Sequence, residues 1–406
     1  MVPEGVKRSS SVTSRPGRSG AALAIVVLLA AAAVASGLVG PRLVEGRSAS
    51  GLARVSLAQK GIGAFGLGER FSTLRGYRRY GYVVVDRSHA RALAGLPGVS
   101  LVYMSGADIA RFDTGVSRHQ AAANGWLLKD ASGAYLESQG YEGVQLADVG
   151  SRSYQRMWLR NVTAFLKATR IDGVFIDDVM SDIRSWSGRK EFPAKYPSQG
   201  AWESAMASFM AVVGPALRAK GYYVLANADG YVHHDTRSDD GSLTVAWWQR
   251  LAPSVSGLMT EYWVQNPNDL GQLRAQGSEW YNQWAGWQRL VSVAQRAHVD
   301  FFGFTYGTTG DQHPMRYGKG SFLLDWNHRG GAFVFSTTDK GDPYHPAWAS
   351  DIGRPLEPKT ELSPGVWRRA FSRGVVIVNS TAEPVSVVVD GTSRTVGPVD
   401  ALIAGG

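Results

Sequence analysis

A chain of 406 residues that is 44% hydrophobic and 19% charged is too apolar for a disordered tail and long enough for one large barrel or two ordinary domains. The absence of cysteine excludes disulfide scaffolds, cysteine-ligated zinc or iron-sulfur sites, and thiol catalysis. A formal charge of +9 would by itself suggest nucleic acid as a partner.

The first residues change that inference. Lys7, Arg8, Arg15 and Arg18 precede an uninterrupted small and apolar run from Ala21 to Val39, and the run contains Ala33-Val34-Ala35, an A-x-A-like cleavage pattern. This pattern predicts export, with the protein secreted or held at the extracellular cell surface. The alternative is an uncleaved membrane anchor, because the run approaches the roughly 20 residues that span a bilayer. The four bases stand against Glu4 alone and supply a third of the net charge. No nucleic-acid partner is therefore expected, and contact with a membrane is expected only through residues 1–45. Residues 46–75 are rich in Gly and Arg and read as a linker.

Beyond the linker, short β-rich apolar runs alternate with helical patterning. The predicted strands are Tyr80 to Asp86, Val99 to Met104, Gly143 to Asp148, Gly173 to Asp178, Tyr222 to Asn227, Gly257 to Trp263, Asp300 to Tyr306 and Gly331 to Phe335. Tyr154 to Thr169, Trp202 to Lys220, Gly277 to Ala297 and Met315 to Trp326 read as helices. Eight strands alternating with helices predict an α/β fold, a (β/α)8 TIM barrel over residues 76–364. After Pro364 the chain turns all-β, with Asp390-Gly391 a hairpin signal, so residues 365–406 form a small C-terminal β appendage expected to pack on the barrel.

In such a barrel chemistry sits at the C-terminal ends of the strands. The polar residues there are Asp86, Ser105, Asp148, Asp177, Asp178, Asn227, Glu261, Tyr306 and, just beyond, Asp311. Carboxylates crowded into one mouth raise one another's pKa and cost stability, so they point to acid/base work or metal binding. Alternation along Gly173 to Asp178 puts Phe175 and Asp177 on one face, with Ile176 and Asp178 on the other. Asp177 is thus the central candidate, and Asp178 is expected to turn toward the following loop. Glu261, beside Tyr262 and Trp263, suits a general acid whose proton is retained in a partly dry mouth.

Of the aromatic residues, Trp280, Trp284 and Trp287 repeat with helical spacing and read mainly as packing. Trp126, Trp247 and Trp263 are the candidates for stacking on a substrate. His233-His234-Asp235 lacks a spaced ligand pattern, as does His313 near Asp311, and Gly61-Ile62-Gly63-Ala64-Phe65-Gly66 has no preceding strand to make it a phosphate loop. No cofactor and no metal are expected. A metal-dependent barrel using Asp148, Asp177 or Asp178, and Asp229 remains a second reading.

Asp172 to Val179, together with Leu146 to Gly150, Ala226-Asn227 and Thr260 to Trp263, resembles the hypothetical glycoside hydrolase-like family 15. Asp351 to Leu356 and Arg368 to Asn379 resemble that group's C-terminal part. A similar strand occurs in polygalactosaminidase-like barrels. The related Asp-Gly-Phe-Arg-Leu-Asp strand of alpha-amylase-like enzymes carries the nucleophile, which by position favours Asp177; Phe175 stands where their arginine would be and argues against amylase-type chemistry. The resemblance implies an exported glycoside hydrolase acting on a poly- or oligosaccharide. Asp177 would be nucleophile or base and Glu261 the general acid, with Asp148, Asp178 and Asn227 holding sugar hydroxyls or orienting the pair. The basic surface suggests an acidic or cell-envelope glycan, and a glycan-binding protein without catalysis is the third reading.

Overall fold

The structure, a computed structural model, describes residues 61–66, 74–110, 114–139, 141–187, 191–228, 242–265, 270–277, 284–339 and 344–405. The run from Ala21 to Val39 that is expected to direct export, Asp229, His233 to Asp235 and Trp280 lie outside these residues. No helix among the described residues is long and apolar enough to cross a membrane.

In chain order the first strands are β1 (Ile62–Gly66), β2 (Tyr82–Val85), β3 (Val99–Ser105), β4 (Asp108–Ile109), β5 (Gln145–Leu146), β6 (Gly173–Asp177), β7 (Tyr223–Asn227), β8 (Gly257–Thr260), β9 (Asp300–Gly307) and β10 (Ala332–Thr337). All of these but β4 and β5 close into a parallel barrel in sequence order, with β10 pairing back onto β1. The predicted barrel is therefore present, with one strand exchanged. The stretch from Gly143 to Asp148 contributes only β5, which pairs antiparallel with β4 in a ribbon beside the barrel. Its place is taken by β1, inside the stretch read as a linker. Gly63 hides that strand from a propensity reading, yet it is required, because a Cβ there would lie 3.0 Å from Val334 Cγ2 and 3.3 Å from Ala332 Cβ.

Helices cover the outside. Helix α1 (Arg152–Thr169) starts where the Ser151 side chain accepts from the Tyr154 amide, and it buries Tyr154, Trp158, Val162 and Leu166 at near four-residue spacing. Helix α2 (Gln199–Arg218) is capped by Ser198 and buries Trp202, Met206, Phe209 and Val213. Helices α3 (Ser242–Leu251) and α4 (Trp284–Arg296) follow, and Trp284 of the predicted stripe is buried with its indole N–H donating to Ser321 Oγ at 2.9 Å. Helix α5 (His313–Asp325) is buried over most of its surface, because it is covered twice, by the barrel and by the C-terminal strands.

Those strands are β11 (Thr360–Ser363), β12 (Val366–Phe371), β13 (Gly374–Asn379), β14 (Val385–Val389), β15 (Thr392–Val396) and β16 (Asp400–Gly405). Four form an antiparallel sheet in the order β11-β12-β13-β16, and β14 and β15 form a hairpin across Asp390-Gly391, both at positive φ as a type I′ turn requires. The sheet lies against α5. A Cβ on Gly320 would come within 2.4 Å of Ala401 Cβ, His313 Nε2 meets the Val399 carbonyl at 2.8 Å, and Arg316 pairs with Asp400 at 2.8 Å.

Inside the barrel, Tyr82, Val84, Leu101, Phe175, Leu225, Met259, Phe302, Phe304, Ala332 and Val334 fill the lumen as one cluster. Ile176 belongs instead to the larger core between strands and helices. The bottom of the lumen is closed by Asp300, whose carboxylate accepts from Tyr223 at 2.6 Å and Tyr82 at 3.3 Å.

Candidate active site

The residues directly above the lumen's apolar filling make the site. A strand repeats its facing every two residues, so Leu101, Phe175, Leu225, Met259 and Phe304 are each followed on the same face by Tyr103, Asp177, Asn227, Glu261 and Tyr306. Five different strands thus deliver one tyrosine, one aspartate, one amide, one glutamate and a second tyrosine to a single layer. The hydrogen bonds show that this layer is continuous. Tyr103 Oη donates to Asp177 Oδ2 at 2.6 Å, Asn227 Nδ2 donates to both Asp177 Oδ1 and Glu261 Oε2 at 2.9 Å, and Tyr306 Oη donates to Glu261 Oε1.

Asn227 fixes the distance between the two carboxylates. Two acceptors each 2.9 Å from one nitrogen stand no farther apart than twice that distance, and about 5 Å apart when each lies along one of the amide hydrogens, which diverge by about 120°. Asp177 lies where burial raises its pKa above the ordinary carboxylate value, opposed by the donors Tyr103, Asn227 and the Asp178 amide.

Asp178 leaves the strand at a φ of 60°, uncommon for a residue with a side chain. The turn lets its amide donate to Asp177 Oδ1 at 3.0 Å while its own carboxyl reaches Ser105 Oγ at 2.9 Å. Its pKa is raised well above the ordinary value, by burial first and then by the charges of Asp177 and Asp108, opposed by the Ser105 hydroxyl.

Other candidates are placed differently. Asp148 is buried beside the β4–β5 ribbon, where Lys195 Nζ and Tyr196 Oη donate to it, and it shares no hydrogen bond with Asp177 or Glu261. The expected stacking tryptophans are packed edge and face. Trp126 donates to Ser153 Oγ at 2.9 Å, Trp247 to the Val179 carbonyl at 3.1 Å, and Trp263 to the Gly318 carbonyl at 3.0 Å, and each is buried. Their N–H groups are satisfied by protein, and no open ring face is left for a sugar. His313 ties α5 to the C-terminal sheet through Val399. Among the described residues no group of three or more histidines or carboxylates is placed to hold a metal ion.

Residue-by-residue reading missed Tyr103, Ser105 as the partner of Asp178, and Asp108. Tyr103 was findable, since it stands two residues after Leu101 just as Asp177 follows Phe175. It also missed Tyr141, which is 59% exposed yet close enough to Glu261, Asp178, Asp177 and Asp108 for their charges to raise its pKa after burial has done so.

The model of a family described as hypothetical glycosyl hydrolase family 15 matches residues 103–375. No curated protein matches the chain. Among solved structures it is similar to the glycoside hydrolase domain of PelA from Pseudomonas aeruginosa, at 14% identity and a TM-score of 0.41 over 70% of this chain and 96% of that one. It is also similar to Ega3 of Aspergillus fumigatus, solved with galactosamine, at 10% identity and a TM-score of 0.42 over 70% and 94%. The alpha-amylase of Geobacillus thermoleovorans, solved with acarbose, shares 10% identity and a TM-score of 0.44 over 86% and 96%.

Proposed function

The chain belongs to hypothetical glycosyl hydrolase family 15, and from that premise we propose that it cleaves a glycosidic bond of a poly- or oligosaccharide with retention of configuration, using Asp177 and Glu261. The observation that carries this is the single amide nitrogen of Asn227 shared by both carboxylates. The shared nitrogen supports a spacing of about 5 Å, in the range of the roughly 5–5.5 Å of retaining glycosidases and below the roughly 6.5–9.5 Å that admits a water in inverting ones.

Asp177 is the nucleophile. Three donors hold its two oxygens and oppose the effect of burial on its charge. In the first step a carboxylate oxygen of Asp177 bonds to the anomeric carbon as the glycosidic C–O bond breaks, and Glu261 gives its proton to the departing oxygen. In the second step Glu261 takes a proton from water, whose oxygen bonds to the anomeric carbon as the ester to Asp177 breaks. Tyr306 and Asn227 keep Glu261 pointed at the reacting bond through both steps. Asp178 supports Asp177 through its backbone amide, which donates to Asp177 Oδ1 at 3.0 Å.

Asp177→Asn and Glu261→Gln, assayed for released reducing ends on a panel of neutral, acidic and amino-sugar polysaccharides, should each lose at least two orders of magnitude in turnover. Unimpaired turnover in either variant overturns the assignment. Oligosaccharide binding without product in the unaltered protein would leave the glycan-binding reading instead.

The basic residues and apolar run before residue 40 support action outside the cytoplasmic membrane. Recovery of the protein only from the cytoplasm of cells expressing the full chain would overturn that.

A further inference from the structure

A cavity of about 740 Å³ opens beside the site on the same end of the barrel, where the loops after β2 and β3 meet α1. It begins next to the catalytic layer. Thr114 in its wall forms a parallel bridge with Ser105, the residue whose hydroxyl donates to Asp178. Its walls include Arg87, Arg118, His119, Gln120, Asn161 and Gly143, and no carboxylate lines it among the described residues. This reverses the charge of the neighbouring site, where Asp108, Asp177 and Glu261 act on Asp178, and all four act on Tyr141.

Part of the wall is built as a fixed platform. The Arg87 guanidinium lies over the Phe165 ring at 4.7 Å and donates to the Thr114 carbonyl at 3.2 Å. The Asn161 amide donates to the Gly115 carbonyl at 2.9 Å, and Gly115 sits where a Cβ would run into the Trp158 ring at 2.3 Å. Arg118, exposed at the rim, forms no salt bridge among the described residues. A positive cavity with an arginine left to water is matched by an anionic ligand, since guanidinium forks bind carboxylate and phosphate oxygens in pairs.

The path between the two regions is marked by Tyr141 and Gly143. Tyr141 is an exposed ring within reach of the acids' charges, and Gly143, two residues on, lines the cavity. The cavity wall thus begins two residues from a ring that feels the charges of the acids.

We propose that this cavity is a subsite for an oxyanion carried by the glycan, a carboxylate or a phosphate on a sugar distant from the bond that is cut. The enzyme thereby selects chains with anionic substituents while its cleaving pair acts on the bond itself. The inference rests on the proposed hydrolysis only for the direction in which the chain runs.

The full chain carrying Asp177→Asn is titrated with glucuronate, glucose 6-phosphate and glucose, with binding followed by nuclear magnetic resonance. At least one charged sugar should bind roughly tenfold tighter than glucose, the effect of one added charge-assisted contact. The preference should fade with added salt and disappear in Arg118→Gln/His119→Gln, while Arg118→Lys, which keeps the charge, retains part of it. The tighter of the two charged sugars identifies the oxyanion. Equal binding of all three sugars overturns the subsite, as does a preference that survives the double substitution unchanged. Because the readout needs no turnover, a preference for a charged sugar together with no product released by the unaltered protein from the polysaccharide panel would remove the hydrolysis reading and leave the subsite standing.

Discussion

Tyr103 Oη stands 2.6 Å from Asp177 Oδ2, on the opposite side of that carboxyl from Asn227, which reaches Oδ1 at 2.9 Å. The two donors hold the carboxyl in one orientation, and both favour its charged form. The Tyr103 ring also packs 5.7 Å from that of Phe175, so Tyr103→Phe keeps the packing and removes only the donor. Turnover should fall roughly 10- to 100-fold, the effect of the ~1.5–3 kcal/mol of a hydrogen bond to a charged group. Losing a donor to the charged form raises the Asp177 pKa further. The acid limb of the kcat/KM profile should therefore move to higher pH, which a purely structural defect would not produce. An unshifted limb would show that Tyr103 acts only in packing.

The anomeric outcome follows from Asn227. Proton nuclear magnetic resonance of the first product formed should show the same anomer as the substrate, before mutarotation mixes the two. Inverted product would mean that the carboxylates separate by more than the ~5 Å of the amide bridge when substrate binds. Asn227→Ala removes a donor from each carboxylate at once, so its effect on turnover should exceed that of Tyr103→Phe.

Asp178 is expected to lower the stability of the fold. Its folded pKa lies well above the 3.8 of an ordinary aspartate, through burial and the neighbouring carboxylates. Below pH 3.8 the group is protonated in both states and carries no penalty. As pH rises from 3.8 toward the folded value, the unfolded chain releases its proton first, and stability falls. Asn at this position removes the titration and tolerates the positive φ of 60° well. Asp178→Asn should raise the melting temperature at pH 7 by a few degrees and leave it nearly unchanged at pH 3, while turnover falls. A melting temperature that is lower at pH 7 would show that the Ser105 contact outweighs the electrostatic cost.

These relationships show what the sequence could reveal. The alternation of Phe175, Ile176 and Asp177 places Asp177 in the lumen by period alone, and the same rule holds for Leu225 to Asn227 and Met259 to Glu261. Tyr103 is not the last polar residue of its run, so only the register shared across strands, Leu101 to Tyr103 beside Phe175 to Asp177, marks it. The tryptophans misled for a different reason. Composition reports that large rings exist, but which face stays open depends on tertiary neighbours such as the Val179 and Gly318 carbonyls that take the N–H groups of Trp247 and Trp263. The strand β1 was obscured by the glycine that its close contact with β10 demands. Asp148 ended a plausible apolar run, yet a two-residue ladder cannot span a barrel, and its charge is taken up by Lys195.

Lys319 links the stability of the barrel to pH from the opposite direction. It is buried in α5, with Nζ donating to the Gly61 carbonyl at 3.0 Å, immediately before β1 closes the barrel. Burial pulls its pKa down from 10.5 to about 7, opposed by the charge of Asp351. Above pH 10.5 the amine is neutral in folded and unfolded chains alike, and there is no penalty. As pH falls from 10.5 toward 7, only the unfolded chain gains the proton, so stability falls; below about 7 both states are charged and the loss levels off. Lys319→Met removes this titration and keeps most of the side chain's volume, at the cost of one of the two donors to the Gly61 carbonyl, which keeps the Phe333 amide at 2.9 Å. The difference in unfolding free energy between the variant and the unaltered protein should therefore shift in the variant's favour as pH is lowered from 10 to 7. Denaturant unfolding at a series of pH values measures that difference directly, and a difference independent of pH across this range would show that the buried amine keeps its ordinary affinity for the proton.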